Sequence, residues 1–320
     1  MDTFSLYKNE VVMKKYNLGI DIGGTSIKIG LFDLDGNLIQ IDGLRTNKTD
    51  KGIHILPEIA SHIKKKYNIE EIRGIGIGVP GPVAKNMIFS CVNLGWGQKD
   101  IVKEFKELIG DSNVIVRVAN DANLAAAGEI YKGVASGYIN AFMVTLGTGI
   151  GGGVIIDGRV VDGINGVAGE IGHTHIDDLF NLDCNCGKKG CLETVASATG
   201  IVRLAKEILK TSDKPSKLRR YPNFSAKKVI DFAKAGDELA TEVIDKSMEY
   251  LARVLAKVTY IINPDIFIIG GGISNAGNFI IDKITKFYYP LVVPFISHTN
   301  FEIATLGNEA GMFGACYLVK

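Results

Sequence analysis

Three observations predict an α/β chain of two lobes with mixed sheets and a cleft between the lobes. A strand, glycine turn, strand pattern occurs twice, strands and helices alternate after the hairpins, and no low-complexity linker parts the halves. The first copy runs from Leu18 through Gly23, Gly24 and Thr25 to Phe32 and closes at Asp35-Gly36. The second runs from Phe142 through Gly147, Thr148 and Gly149 to Ile156 and closes at Asp157-Gly158. Glycines remove side chains where the strands reverse, so backbone N–H groups and a threonine hydroxyl can converge on an anion. Two such loops face to face would clamp the phosphates of a nucleotide held between the lobes.

Competing nucleotide motifs fail on context. Gly147-Thr-Gly149-Ile-Gly-Gly152 and Gly76-Ile-Gly78-Val-Pro-Gly81 both satisfy the G-x-G-x-x-G string of dinucleotide sites, which must open a helix. The first string instead runs into the apolar strand 154–156, and Pro80 and Pro82 make the second a loop. A G-x-x-x-x-G-K-[ST] loop does not occur.

The other elements follow in order. Residues 51–67 place Ile53, Leu56, Ile59 and Ile63 at helical spacing and end in Lys64-Lys65-Lys66, a solvated helix end. Residues 74–79 form a buried strand, 114–118 another, and 122–131 an alanine-rich helix entered from Asn120-Asp121. Helices are expected over 191–210 and 238–262, then a strand at 266–269, the turn Gly270-Gly271-Gly272, a strand near 302–305 and a helix from about Glu309. The boundary is placed near Ala119. Residues 1–118 form the small lobe, to which the C-terminal helix of about 307–320 returns, and 119–306 form the large lobe.

Bulk composition narrows the class. At 320 residues, 46% hydrophobic and 22% charged, the chain is ordinary globular protein. Lys+Arg 36 against Asp+Glu 35 leaves +1, which supports neither nucleic acid nor an anionic membrane as partner. Apolar runs fall short of the ~20 residues needed to span a bilayer. The first sixteen residues lack a signal peptide's apolar stretch, so a cytoplasmic location is expected.

Two constellations carry chemistry. Asn120-Asp121 stands where a strand meets a helix, so either residue suits an N-cap. A carboxylate there could equally take the proton of an attacking hydroxyl while the amide holds its neighbour, which is what phosphoryl transfer requires. Cys184, Cys186 and Cys191 lie within eight residues of one another, and with a histidine they complete a tetrahedral set that leaves no open position on a structural zinc. By spacing alone either His173 or His175 is the fourth ligand. A rigid metal loop would tether Glu170 and Glu193, two carboxylates suited to accept hydrogen bonds from sugar hydroxyls. Asp21 could hold water on a Mg2+ bridging the phosphates, and Gly271 would let backbone approach an adenosine.

Taken together, Asp21-Ile-Gly-Gly-Thr25, Asn120-Asp121-Ala122-Asn123, Gly147-Thr148-Gly149 and Gly172-His173 with Cys184-x-Cys186-Gly-x-x-Gly190-Cys191-x-Glu193 resemble the ROK family of sugar kinases and repressors, from about Leu18 to the C-terminus. The resemblance implies an actin-like ATPase (ribonuclease H-like) fold and an ATP-dependent hexose kinase. Glucokinase is the leading activity, and kinases for fructose, N-acetylglucosamine or N-acetylmannosamine are the alternatives. It also implies Asp121 as base, with Gly81, Asn120, Glu170, His173 and Glu193 at the sugar. His173, Cys184, Cys186 and Cys191 would hold zinc, and Gly23, Gly24, Thr25, Thr148, Gly149 and Gly271 would line the ATP cleft. Asn93-Leu-Gly-Trp96 is similar to a loop of the family's bacterial glucokinases, and a homodimer is expected by likeness. Family repressors carry a DNA-binding domain ahead of the first hairpin, and the seventeen residues before Leu18 are too few for one. A sugar-binding regulator without turnover is the reading of another class.

Overall fold

The computed structural model describes residues 13–176, 179–296 and 299–320. The chain begins with β1 (Tyr16–Ile22), β2 (Ser26–Asp33), β3 (Leu38–Arg45), α1 (Ile55–Lys66) and β4 (Ile72–Val79). It continues through β5 (Val83–Ala84), β6 (Met87–Ile88), β7 (Lys99–Asp100), α2 (Ile101–Ile109), β8 (Ile115–Asn120) and α3 (Asp121–Lys132). Next come β9 (Ala141–Leu146), β10 (Ile150–Ile156), β11 (Arg159–Val160), α4 (Glu193–Ala196), α5 (Ala198–Thr211) and α6 (Ala226–Lys234). The last elements are α7 (Glu238–Ile262), β12 (Ile266–Gly270), α8 (Asn278–Tyr288), β13 (Asn300–Ile303) and α9 (Ala310–Tyr317).

The repeat visible in the glycine hairpins extends to whole sheets. One sheet has the order β3-β2-β1-β4-β8 and the other β11-β10-β9-β12-β13. In each, an antiparallel hairpin is extended by parallel strands beside its first member. The interior strand β4 is buried along most of its length, as the run Gly74-Ile-Gly-Ile-Gly-Val79 demands of a parallel strand covered on both faces. One face receives Ile55, Leu56, Ile59 and Ile63 of α1 with Ile101, Phe105 and Ile109 of α2. The second sheet is packed by α5, α6, α7 and α8 in the largest apolar core.

The C-terminal helix α9 joins the two halves. It is apolar around its circumference, none of its residues is fully exposed, and it lies between the first sheet and α3. Glycines set the spacing: a Cβ on Gly76 would sit 1.8 Å from the Ala315 carbonyl oxygen, and one on Gly128 would sit 2.2 Å from that of Ala310. Backbone therefore packs on backbone, and the N-terminus of α3 is fixed relative to both sheets.

Two expected helices change shape. The 51–67 helix starts only at Ile55, because Asp50, Lys51 and Gly52 are all left-handed at φ 50°, 58° and 69°. The 191–210 helix is two, broken at Ser197, whose extended backbone (ψ 174°) ends α4 and whose hydroxyl caps α5 by accepting the Gly200 N–H at 2.9 Å. The last strand also begins earlier than expected, at Asn300. Among the described residues no helix is long and apolar enough to cross a membrane.

Candidate active site

A cleft of about 670 Å³ opens between the two sheets, where both glycine hairpins and the start of α3 converge. Its wall includes Asp21, Gly23, Asn120, Asp121, Gly149, Glu170, His173, Glu193 and Gly271, nine positions singled out from sequence and spread over most of the chain. Gly24, Thr25, Gly81 and Thr148 lie outside that wall. Gly24, Thr25 and Thr148 occupy the tips of their turns, with both threonines exposed. Gly81 turns its carbonyl to the Asn120 side chain at 3.1 Å.

Strand β8 delivers Asn120 and Asp121 directly into the first turn of α3. Asn120 is the N-cap: its Oδ1 accepts the N–H groups of Ala122 at 2.9 Å and Asn123 at 3.3 Å. With Nδ2 also donating to Gly81, the amide is held on three sides, leaving one N–H to offer a ligand. Asp121 stands at the head of the helix, its surface exposed within the cleft whose walls surround it. Burial pushes its pKa up to about 6, against the Ala122 N–H that pulls it down, and the carboxylates of Asp21 and Glu170 raise it further. A carboxylate with a pKa near neutrality is well matched to general-base work.

Opposite stands the first hairpin. Antiparallel register pairs Asp21 with Lys28. Burial raises the Asp21 pKa and Lys28 draws it down. The Lys28 ammonium also donates to the Asn308 carbonyl. Among the described residues no group donates a hydrogen bond to the Asp21 carboxylate, so both oxygens are available to a hydrated cation, a donor set that fits Mg2+. Asn93, from the Asn93–Trp96 loop noted in the sequence, also lies on the wall, and Lys28, Thr145, Asn308 and Gly311 are wall residues that sequence reasoning missed. The signal for Lys28 was present: a turn at 23–25 places 28 across from 21. No local pattern marks the others.

The thiol cluster assembles as the spacing implied. Ligand atoms of His173, Cys184, Cys186 and Cys191 all lie within 4.8 Å of one another. Cys186 Sγ is 3.7 Å from Cys191 Sγ, and Cys184 Sγ is 3.6 Å from His173 Nδ1. A tetrahedral zinc with ordinary Zn–S and Zn–N lengths needs ligand separations of about 3.5–3.8 Å, so the four residues fit that ion. His175 is outside the set and pairs through its backbone with Cys191. Glu193 opens α4 two residues beyond Cys191, and its Oε1 lies 3.8 Å from His173 Nδ1. Burial raises the pKa of Glu170, His173 lowers it and Glu193 raises it again. The metal loop thus presents two carboxylates and an imidazole to the cleft beside Asp121.

The chain is similar to known proteins over nearly its whole length. The model described as the ROK family matches residues 17–320. A glucokinase of Halalkalibacterium halodurans is 38% identical over 318 residues, 96% of this chain and 95% of that protein. A glucokinase of Thermotoga maritima is 34% identical over 310 residues, 95% of this chain and 96% of that protein. Among solved structures, a ROK family glucokinase from Streptomyces griseus in complex with glucose and AMPPNP superimposes with a TM-score of 0.70. It is 29% identical and covers 95% of this chain and 98% of its own.

Proposed function

The chain belongs to the ROK family, and on that premise we propose a glucokinase that transfers the γ-phosphoryl group of ATP to the 6-hydroxyl of glucose. It is an ATP-dependent sugar kinase of the actin-like ATPase fold. The observation that carries the reading is the meeting of Asp121, at the head of α3, with both glycine hairpins and the zinc-loop carboxylates in one cleft.

In the proposed mechanism Glu170, His173 and Glu193 bind the sugar through its hydroxyls, and Asn120 offers its remaining amide hydrogen. Asp121 takes the proton of the 6-hydroxyl as that oxygen bonds to the γ-phosphorus, and the bond from phosphorus to the β–γ bridging oxygen breaks to release ADP. Gly23 and Gly149 line the proposed phosphate path, Gly24, Thr25 and Thr148 stand at the tips of the same turns, and Gly271 is proposed to face the adenosine. Lys28 stands where phosphate charge gathers. When bound beside Asp21, Mg2+ supplies further charge neutralisation. His173, Cys184, Cys186 and Cys191 would hold zinc, which would keep the sugar-facing loop rigid. The proposed lobes, 1–118 with the returning C-terminal helix and 119–306, close to exclude water. A cytoplasmic homodimer is proposed by family likeness, and light scattering tests it.

The direct test is ADP release from Mg-ATP with glucose, fructose, mannose, N-acetylglucosamine or N-acetylmannosamine, against a no-sugar blank. Glucose should dominate. Preference for an acetylated sugar would keep the chemistry and change the substrate, while ADP in every tube or in none would refute the kinase. Separately, Lys28→Ala should lower kcat/KM for ATP by about 10²-fold at saturating glucose, with Lys28→Arg recovering much of it. An unchanged value would remove Lys28 from the phosphate path.

A further inference from the structure

Glu129 lies in α3, eight residues beyond the proposed base, and is fully buried. Its carboxylate accepts three hydrogen bonds: from the Val134 N–H at 2.9 Å, the Thr305 hydroxyl at 3.1 Å and the Leu306 N–H at 2.8 Å. No cation pairs with it among the described residues. A carboxyl side chain surrounded only by donors is held as an acceptor on both oxygens, an arrangement that burial makes costly to disturb. Room for it is made by Gly133, where a Cβ would sit 2.0 Å from Glu129 Oε2.

What Glu129 grips is the link from β13 to α9. That link continues from Thr305 and Leu306 into Gly307, at φ 53°, and Asn308, both on the cleft wall. Asn308 offers its carbonyl to Lys28. Three residues further on, Gly311 lies against Asp21, whose carboxyl oxygens would be 2.8 and 3.2 Å from a Cβ placed there. The segment is thus anchored at one end by Glu129 and at the other by the residues assigned to the phosphates. The sugar-facing groups Glu170, His173 and Glu193 stand on different elements, and among the described residues none of them hydrogen-bonds or ion-pairs with it.

We propose that Glu129 is a positioning residue for the nucleotide: through Thr305 and Leu306 it sets the 305–308 wall that fixes Lys28 and Asp21 at the phosphate end of the cleft. The inference rests on the kinase reading and deepens it. Glutamine at 129 keeps the shape but turns an amide donor toward one of the three donors. Valine at 305 removes one donor and leaves the carboxylate two.

The test is steady-state kinetics of the full-length zinc-loaded protein with ATP and glucose varied in turn, for Glu129→Gln, Thr305→Val and Thr305→Ser. KM for ATP should rise about tenfold in Glu129→Gln and about threefold in Thr305→Val. KM for glucose should stay within twofold, and Thr305→Ser should behave as the parent. Calorimetric titration of Mg-AMPPNP into the parent and Thr305→Val should show the same threefold weakening without turnover. Equal rises in both KM values, or unchanged nucleotide affinity in folded Thr305→Val, overturn the inference, and that variant carries the test if Glu129→Gln does not fold. Absence of sugar-dependent ADP release in the parent would refute the kinase reading instead, and the titration would still decide the role of Glu129.

Discussion

Asp121→Ala is expected to lower kcat by roughly 10²–10⁴-fold, the usual contribution of a positioned general base, while the protein stays folded and still binds glucose. The electrostatics add two further readouts. Because burial lifts the Asp121 pKa to about 6, the parent's kcat/KM for glucose should fall on the acid side with a midpoint near that value. A base must be deprotonated, so activity is lost as pH drops through it. The stability effect has the opposite sense. Between the ordinary carboxylate value of 3.8 and about 6 the native state binds more protons than the unfolded one, so stability falls as pH rises through that window. Above it the ionised carboxylate opposes folding in full. Asp121→Asn, which removes the charge, should therefore raise the melting temperature at pH 7 by about 1–3 °C while abolishing turnover. The side chain's open face to solvent keeps that gain small. Turnover unchanged in Asp121→Ala would overturn the base assignment, and an acid limb near 4 would show that the cleft does not perturb the carboxylate.

Cys186→Ser should abolish zinc binding and weaken glucose affinity together, by about 10–100-fold. Cys186 is the exposed one of the three cysteines, so its loss leaves the buried core intact and isolates the metal's effect. The coupling follows from connectivity. His173 belongs to the metal set and lines the cleft, Glu170 precedes it by three residues, and Glu193 follows Cys191 by two. Without the ion, the loop entropy of the 173–191 segment opposes holding both glutamates toward one sugar. Elemental analysis with calorimetric glucose titration checks this, and a chelator should reproduce the variant's defect in the parent protein. A metal-free Cys186→Ser protein with parental glucose affinity would show that the cluster does not support the sugar site.

Much of the site was legible because its parts are local. A glycine turn between two strands, an Asn-Asp pair at a strand-to-helix junction and three closely spaced cysteines are each encoded within about ten residues. Their geometry follows from backbone freedom, capping and ligand reach. Asn120 shows where local reasoning stops: the sequence allowed a cap or a ligand contact, and the structure spends most of its hydrogen-bonding capacity on the cap and on Gly81. The helix over 191–210 failed for a related reason, since Ser197 breaks it by capping a new start inside an apolar pattern that runs on unbroken.

The sequence by itself determined the fold class, the duplicated hairpins, the candidate base and the three-cysteine cluster, because each is specified by residues that are neighbours in the chain, while the structure chose His173 over His175 as the histidine beside the thiols. Only the tertiary structure decided which of these groups share a wall, and with what else. Lys28 reaches Asn308, Gly311 crowds Asp21 and Glu129 holds Leu306, contacts that join segments far apart in the chain. They exist because α9 returns to lie between α3 and the first sheet at backbone-contact distance. That approach depends on glycines in each of the three partners at once. A pattern read along one strand or helix carries no information about which distant surface its small residues will meet.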